Sequence, residues 1–313
     1  MLRKWISIFF VMLFLSGVIL GLKSGTAFAS DKLLYPVYIE AANKAGYIDE
    51  IGEIVITPIF DEAYEFSEGL AAVSNNGKYG YINTNGVIVI PFKFDFAREF
   101  SEGYAAVKVK EKWGFINKDG KLIIPAIYGL TLSFSDGLAG ALLGSETTGF
   151  EFVYLNRKGN IDIRLGKEYH FGQRFVNGVA AVCTKYKCGY INKIGKLVHP
   201  IKYKTANSFS NGLALIMTNK YGYINSNWKI VIRPKFETAD DFSCGLAAVR
   251  LKGKVGYIDE KGKTVIPFMY DYGGKFIGNL AEVRNKEKQI TMYINKKNEV
   301  IWQGNGKLNR SYY

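Results

Sequence analysis

An all-β repeat array is the fold class this sequence predicts, and three observations predict it. A cassette reading F-S-x-G-L-A-A-V, then x-G-Y-I-[N/D]-x-x-G, then V-I-P is written along most of the chain. Its phenylalanines, Phe66, Phe100, Phe134, Phe175, Phe209, Phe242 and Phe276, are spaced by 34, 34, 41, 34, 33 and 34 residues, a period that marks stacked supersecondary units. Each unit holds short runs rich in aromatic and β-branched residues, punctuated by Gly, Asn and Pro, which is the pattern of strands and tight turns.

The unit 66–97 shows the elements in order. Leu70 to Val73 is an apolar strand entered through Gly69, and Asn75, Asn76 and Gly77 turn the chain into a second strand, Tyr79 to Asn83. Asn83-Thr84-Asn85-Gly86 then predicts a hairpin with an Asx cap at its start and glycine where φ must be positive. That loop recurs at Asp49, Asn117, Asn156, Asn192 and Asp259, but Asn298 and Trp228 replace its glycine in two units. Asparagine tolerates the left-handed region; tryptophan there implies either a shifted register or a strained residue. The third strand, Val87 to Ile90, is predicted to end at Pro91, with Pro58, Pro125, Pro200, Pro234 and Pro267 in the matching places, and a short fourth strand is expected around Phe94-Asp95.

Each unit is therefore read as a three-stranded antiparallel meander, too small to stand alone, whose recurrent rings form a core shared with its neighbours. Hairpins centred on Tyr47, Tyr81, Phe115, Tyr154, Tyr190, Tyr223, Tyr257 and Tyr293 give eight units, with degenerate first and last members acting as caps. A propeller-like or nearly closed ring is expected ahead of an open superhelix. One domain, residues 30–302, is expected, followed by a polar tail, 303–313.

Lys112-Trp113-Gly114, followed by Phe115-Ile116-Asn117 and Gly120, resembles the signature of the WG-repeat (KWG-repeat) family of bacterial proteins, and the likeness spans nearly the whole chain after residue 30. The tryptophan is kept in a single unit; Ala45, Tyr79, Phe152, Cys188, Tyr221, Val255 and Thr291 replace it elsewhere. The resemblance implies an all-β scaffold and no particular activity.

Residues 1–29 have the parts of a secretory leader: Arg3 and Lys4, an apolar run from Trp5 to Leu22, and an Ala27-Phe28-Ala29 cleavage site. A secreted or cell-surface protein without a further membrane-spanning segment is expected. Removing Arg3, Lys4 and Lys23 takes the formal charge from +13 to +10, which favours polyanionic neighbours. The lysines are spread over every unit instead of forming one stripe, which argues against nucleic acid. A monomer binding an anionic cell-wall polymer or a protein is the expected mode of action.

Of the three cysteines, Cys183 and Cys188 flank a hairpin loop, Thr184 to Lys187, and are either a local disulfide or incidental; Cys244 fills the variable slot of F-S-x-G. His170 and His199 have no ligand spacing to each other or to the cysteines, so neither a metal nor a cofactor is expected. Asp61, Asp95, Glu237 and Asp271 recur once per unit after the proline corner, as turn caps do.

Function is sought where the period breaks. The fourth unit carries seven extra residues, five around Ser145 to Gly149 and two between Gly159 and Phe175, and insertions in repeat arrays map to loops and binding faces. His170 and Arg174 are the candidate residues there, and the alternative to a scaffold is an enzyme centred on Ser145 to Arg174. Trp228, at a loop tip beside Lys229, is expected to offer an exposed ring for sugar stacking, and Trp113 is a further candidate.

Overall fold

The computed structural model describes residues 33–145 and 147–305, so the expected leader, with the cleavage site expected at Ala27 and Ala29, lies outside the described residues. Eight antiparallel sheets follow one another along the chain, as blades spanning residues 35–60, 62–94, 96–128, 130–164, 169–203, 205–236, 238–270 and 272–305. Blade 2 is representative, with strands Glu62–Ala63, Leu70–Asn75, Lys78–Asn83 and Ile88–Phe94 paired in chain order.

Seven sheets have four strands and the first has three among the described residues; the short fourth strand expected around Phe94-Asp95 exists but starts two residues later, at Phe96, and belongs to the next sheet. The extra strand lies beyond the proline corner, where Glu62–Ala63 or Phe96–Ser101 opens the next sheet. Proline does not end the third strand of the cassette either. Ile88–Phe94 continues through Pro91 because it is the outer strand of its sheet, where a missing N–H costs no ladder bond.

The register shows what the cassette's glycine and proline do together. Tyr79 pairs with Phe94 and Tyr81 with Ile90, so four residues of the outer strand bulge past two of its neighbour. The bulge presses against the intervening glycine: a Cβ at Gly114 would lie 2.6 Å from the Ile124 carbonyl oxygen. In blade 4 the outer strand, Ile161–Arg164, has no proline and Val153 pairs directly with Arg164, so the glycine is dispensable there.

Neighbouring blades are joined by three repeated contacts. Each hairpin ring meets the next blade's phenylalanine, as in Tyr81–Phe100 (4.9 Å between centroids), Phe115–Phe134 (4.8 Å) and Tyr223–Phe242 (4.8 Å). The tyrosine hydroxyls donate forward, Tyr81 to the Arg98 carbonyl and Tyr223 to the Asp240 carbonyl. Serine of the F-S pair does likewise: Ser67 donates to the Phe100 carbonyl and Ser243 to the Phe276 carbonyl. Buried rings at about 25 cal/mol per Å² of apolar area make these seams the main stabilisation.

The same contacts close the ring. Tyr293 of blade 8 meets Tyr35 of blade 1 at 5.8 Å and donates to the Pro36 carbonyl at 2.8 Å. Tyr35, Val37 and Ile48 share one buried cluster with Leu280 and Tyr293, and Asn279 donates to Glu50. The fold is a closed eight-bladed β-propeller, not an open superhelix. Its last strand, Val300–Asn305, runs three residues past the expected domain end at 302.

Candidate functional site

Most residues that repeat are consumed by the architecture. The post-proline carboxylates cap the hairpin of their own blade: Asp61 accepts from the Asn76 N–H, Asp95 from Lys110 and Asp271 from Lys286, each also bound by a lysine. Those lysines hold all three carboxyls below the ordinary value. The variable slot of F-S-x-G also works between blades, since Glu68 accepts from the Gly103 N–H and Glu102 from Gly137.

Residues from the two positions ahead of several repeat phenylalanines meet inside the ring. Glu65 of blade 2, Asn207 of blade 6, Asp240 and Asp241 of blade 7 and Lys275 of blade 8 line one cavity of about 470 Å³, so opposite sides of the ring meet there. Asn207 donates to Asp241 at 3.1 Å, and on another sector Ser133 donates to Glu99 at 2.7 Å. Burial pushes the Asp240 carboxyl up to about 6, with the charge of Asp241 adding to it. Its side chain still reaches the water of the channel, so the site is confined, not dry. Arg174 delivers its charge here, favouring the ionised form of Asp241 and opposing that of Arg98. Sequence reasoning missed this ring of polar residues, although the position ahead of each phenylalanine varies in charge from unit to unit.

A second cavity, about 760 Å³, opens between blades 4 and 5, where the period breaks. The lengthened hairpin of strands Leu138–Ser145 and Gly149–Asn156 forms one wall, and residues 165–170, leading into Tyr169–Gly172, form the other. Leu143, Phe150, Phe152, Leu165 and Tyr169 give it apolar sides, and Lys167 and His170 bring polar groups. Phe150 is 56% exposed. Glu151 at its edge is paired with Arg164.

The adjacent hairpin of blade 5 stands beside this groove, because Tyr169 pairs with Thr184. Cys183 and Cys188 face each other across that hairpin and are joined in a disulfide, which settles the alternative the sequence left open. The tie holds the tip Lys185-Tyr186-Lys187, whose tyrosine is 74% exposed. Cys244 is free and exposed.

The other candidate residues are placed differently from expectation. Trp228 sits at φ 62° in the left-handed region, without a register shift, and its indole is not an exposed platform. It stacks on His199 of the preceding blade at 4.5 Å and 12°, and touches Tyr190 and Phe209. Other units place isoleucine under glycine here, as with Ile232 beneath Gly262. His199, 7% exposed, has its pKa lowered by burial and then by Lys202. Trp113 is 9% exposed, covered by the Arg98 guanidinium 4.8 Å from its ring, so it too is packing. Lys229 and His170 are exposed. Among the described residues no group of three His, Cys, Asp or Glu side chains is placed to hold a metal ion, and no helix is long and apolar enough to cross a membrane.

The WG containing repeat matches this chain over residues 46–79, 79–113, 113–145, 189–220, 221–254 and 256–288. The protein belongs to the WG-repeat family. Where the WG repeats lapse, between residues 145 and 189, is where the groove and the disulfide-tied hairpin lie. No curated protein matches this WG-repeat chain in sequence. Among solved structures it is similar to dihydro-heme d1 dehydrogenase NirN in complex with DHE (TM-score 0.57, 12% identity, 88% of this chain and 73% of that one). It is also similar to apo AztD from Citrobacter koseri (TM-score 0.51, 10% identity, 88% and 95%). At such identities these likenesses speak to the propeller fold alone.

Proposed function

We propose that this WG-repeat protein is an exported, non-enzymatic scaffold that binds an anionic polymer of the bacterial envelope. The observation that carries the reading is the groove between blades 4 and 5, the place where an otherwise regular array builds something its packing does not use. The secretory leader and the charge of +10 left after its removal supply the compartment and the sign of the partner. Lysines spread over the ring add many weak contacts, and a rigid closed propeller holds them in register.

An enzyme centred on Ser145 to Arg174 would need an oriented base. Among the described residues no carboxylate is hydrogen-bonded to His170, and Arg174 serves the axial channel. Binding is the simpler use of the same groups.

The test is retention of the chain 30–313 on purified cell wall at low and high salt. The reading expects retention that falls steeply as salt rises. Absence of retention would refute a wall partner and direct the search to proteins; retention indifferent to salt would refute the electrostatic mode.

A further inference from the structure

Resting on that reading, we infer that the blade 4–5 groove and the disulfide-tied hairpin beside it form one site for a phosphodiester-linked sugar chain. Phe150 and Tyr186 are the stacking surfaces, and Lys167, Lys185 and Lys187 contact the phosphates. Each chemical half of such a ligand has a counterpart. Sugar rings present flat C–H faces, and exposed aromatic rings are their natural platform. Elsewhere the large rings of this propeller are spent on seams, whereas Phe150 at 56% and Tyr186 at 74% exposure are not. Phosphodiesters need unpaired cations, and Lys167, Lys185 and Lys187 are exposed without a carboxylate at ion-pair distance among the described residues. Arg164 is neutralised by Glu151 and contributes position more than charge.

The two tips also belong to neighbouring blades. Phe150 lies near the tip of the blade 4 hairpin and Tyr186 at the tip of the blade 5 hairpin, and the groove's apolar lining of Phe152, Leu165 and Tyr169 reaches that second hairpin through the pairing of Tyr169 with Thr184. Tips of this kind are usually mobile, but the Cys183–Cys188 bond ties the second one directly to its sheet, which lowers the ordering cost of binding. Lys185 already stands over the Tyr186 ring at 5.5 Å, and a phosphate arriving beside the ring would meet that ammonium group.

The experiment is equilibrium binding of the chain 30–313 to three soluble probes: a phosphodiester-linked sugar polymer released from cell wall, inorganic polyphosphate, and a neutral glucan. The sugar-phosphate polymer should bind at least tenfold more tightly than either control. Phe150→Ala and Tyr186→Ala should each weaken it about fivefold, consistent with roughly 1 kcal/mol per stacked ring, while leaving polyphosphate binding unchanged. Lys167→Ala should reduce the salt dependence, and Cys183→Ser with Cys188→Ser should weaken binding with the circular dichroism spectrum preserved. Thr264→Ala, exposed at the start of the outer strand of blade 7, is the control expected to change nothing.

Equal affinity for polyphosphate, or indifference to both ring substitutions, would overturn this site while wall retention left the broader reading standing. Failure to bind any soluble probe by a protein that is still retained on wall would overturn it too. Loss of retention on wall as well would remove both.

Discussion

Trp228 and His199 form a paired departure from the repeat, and a double-mutant cycle on them measures how blades recognise one another. At the other seams except that of blade 8, where Asn298 stands, a loop glycine rests on an isoleucine of the preceding blade, as Gly262 rests on Ile232 with contacts of 3.3–3.6 Å to a built Cβ. Here tryptophan rests on histidine. Trp228→Gly removes an indole that buries about 150 Å², worth about 4 kcal/mol at 25 cal/mol per Å² as an upper estimate. It also relieves a left-handed residue, returning about 1–2 kcal/mol. A net loss of about 2 kcal/mol follows. His199→Ile alone forfeits the ring stack and the contact with the Tyr203 hydroxyl at 3.1 Å, costing about 1 kcal/mol. Together the two substitutions restore the seam of blades 5 and 6, so the double variant should lie within about 1 kcal/mol of the parent, giving a coupling of about 2 kcal/mol. Urea unfolding followed by circular dichroism reads the cycle. Additive losses would refute the idea that the pair replaces a glycine–isoleucine seam.

Three further outcomes follow from the same structure. Burial lowers the His199 pKa from 6.5, so the unfolded chain takes up the proton first; stability complete above about pH 6.5 should decline as pH falls below it, and His199→Ile should flatten that decline in melting curves. Asp240 is shifted the other way, to about 6, so its contribution is present near pH 4 and lost as pH rises through 6; Asp240→Asn should melt higher than the parent at pH 7.5, with the gap closing toward pH 4. Gly114→Ala places a methyl 2.6 Å from the Ile124 carbonyl and should cost about 3 kcal/mol in urea unfolding, whereas Val153→Ala, on the unbulged blade, should cost about 1 kcal/mol.

The repeat period and the aromatic strands were legible because each is a local pattern: Phe100, Tyr81 and Ser67 recur at fixed spacing and fill fixed places in the seams. The fourth strand was legible only in outline, expected around Phe94-Asp95, because it is as short as Glu62–Ala63 in blade 2 and its membership of the following sheet depends on pairing with a strand further along the chain. A proline ends a central strand, but on an outer strand it only shapes a bulge. Trp228 misled for a different reason. Its chain neighbours are turn residues that say surface, and the histidine that covers it comes from another blade, 29 positions earlier. The groove was signalled by the broken period at Ser145 to Gly149, but Tyr186 was not, because its place beside the groove depends on the pairing of Tyr169 with Thr184. The axial ring stayed hidden because its members are brought together only by closure.

Hydrogen exchange of the chain 30–313, free and on isolated wall polymer, tests the central claim most directly. The account predicts protection concentrated in residues 144–152, 165–170 and 183–188, with the seams between other blades unchanged. Protection confined to the opposite face, or to the axial residues around Asp240 and Asp241, would contradict it.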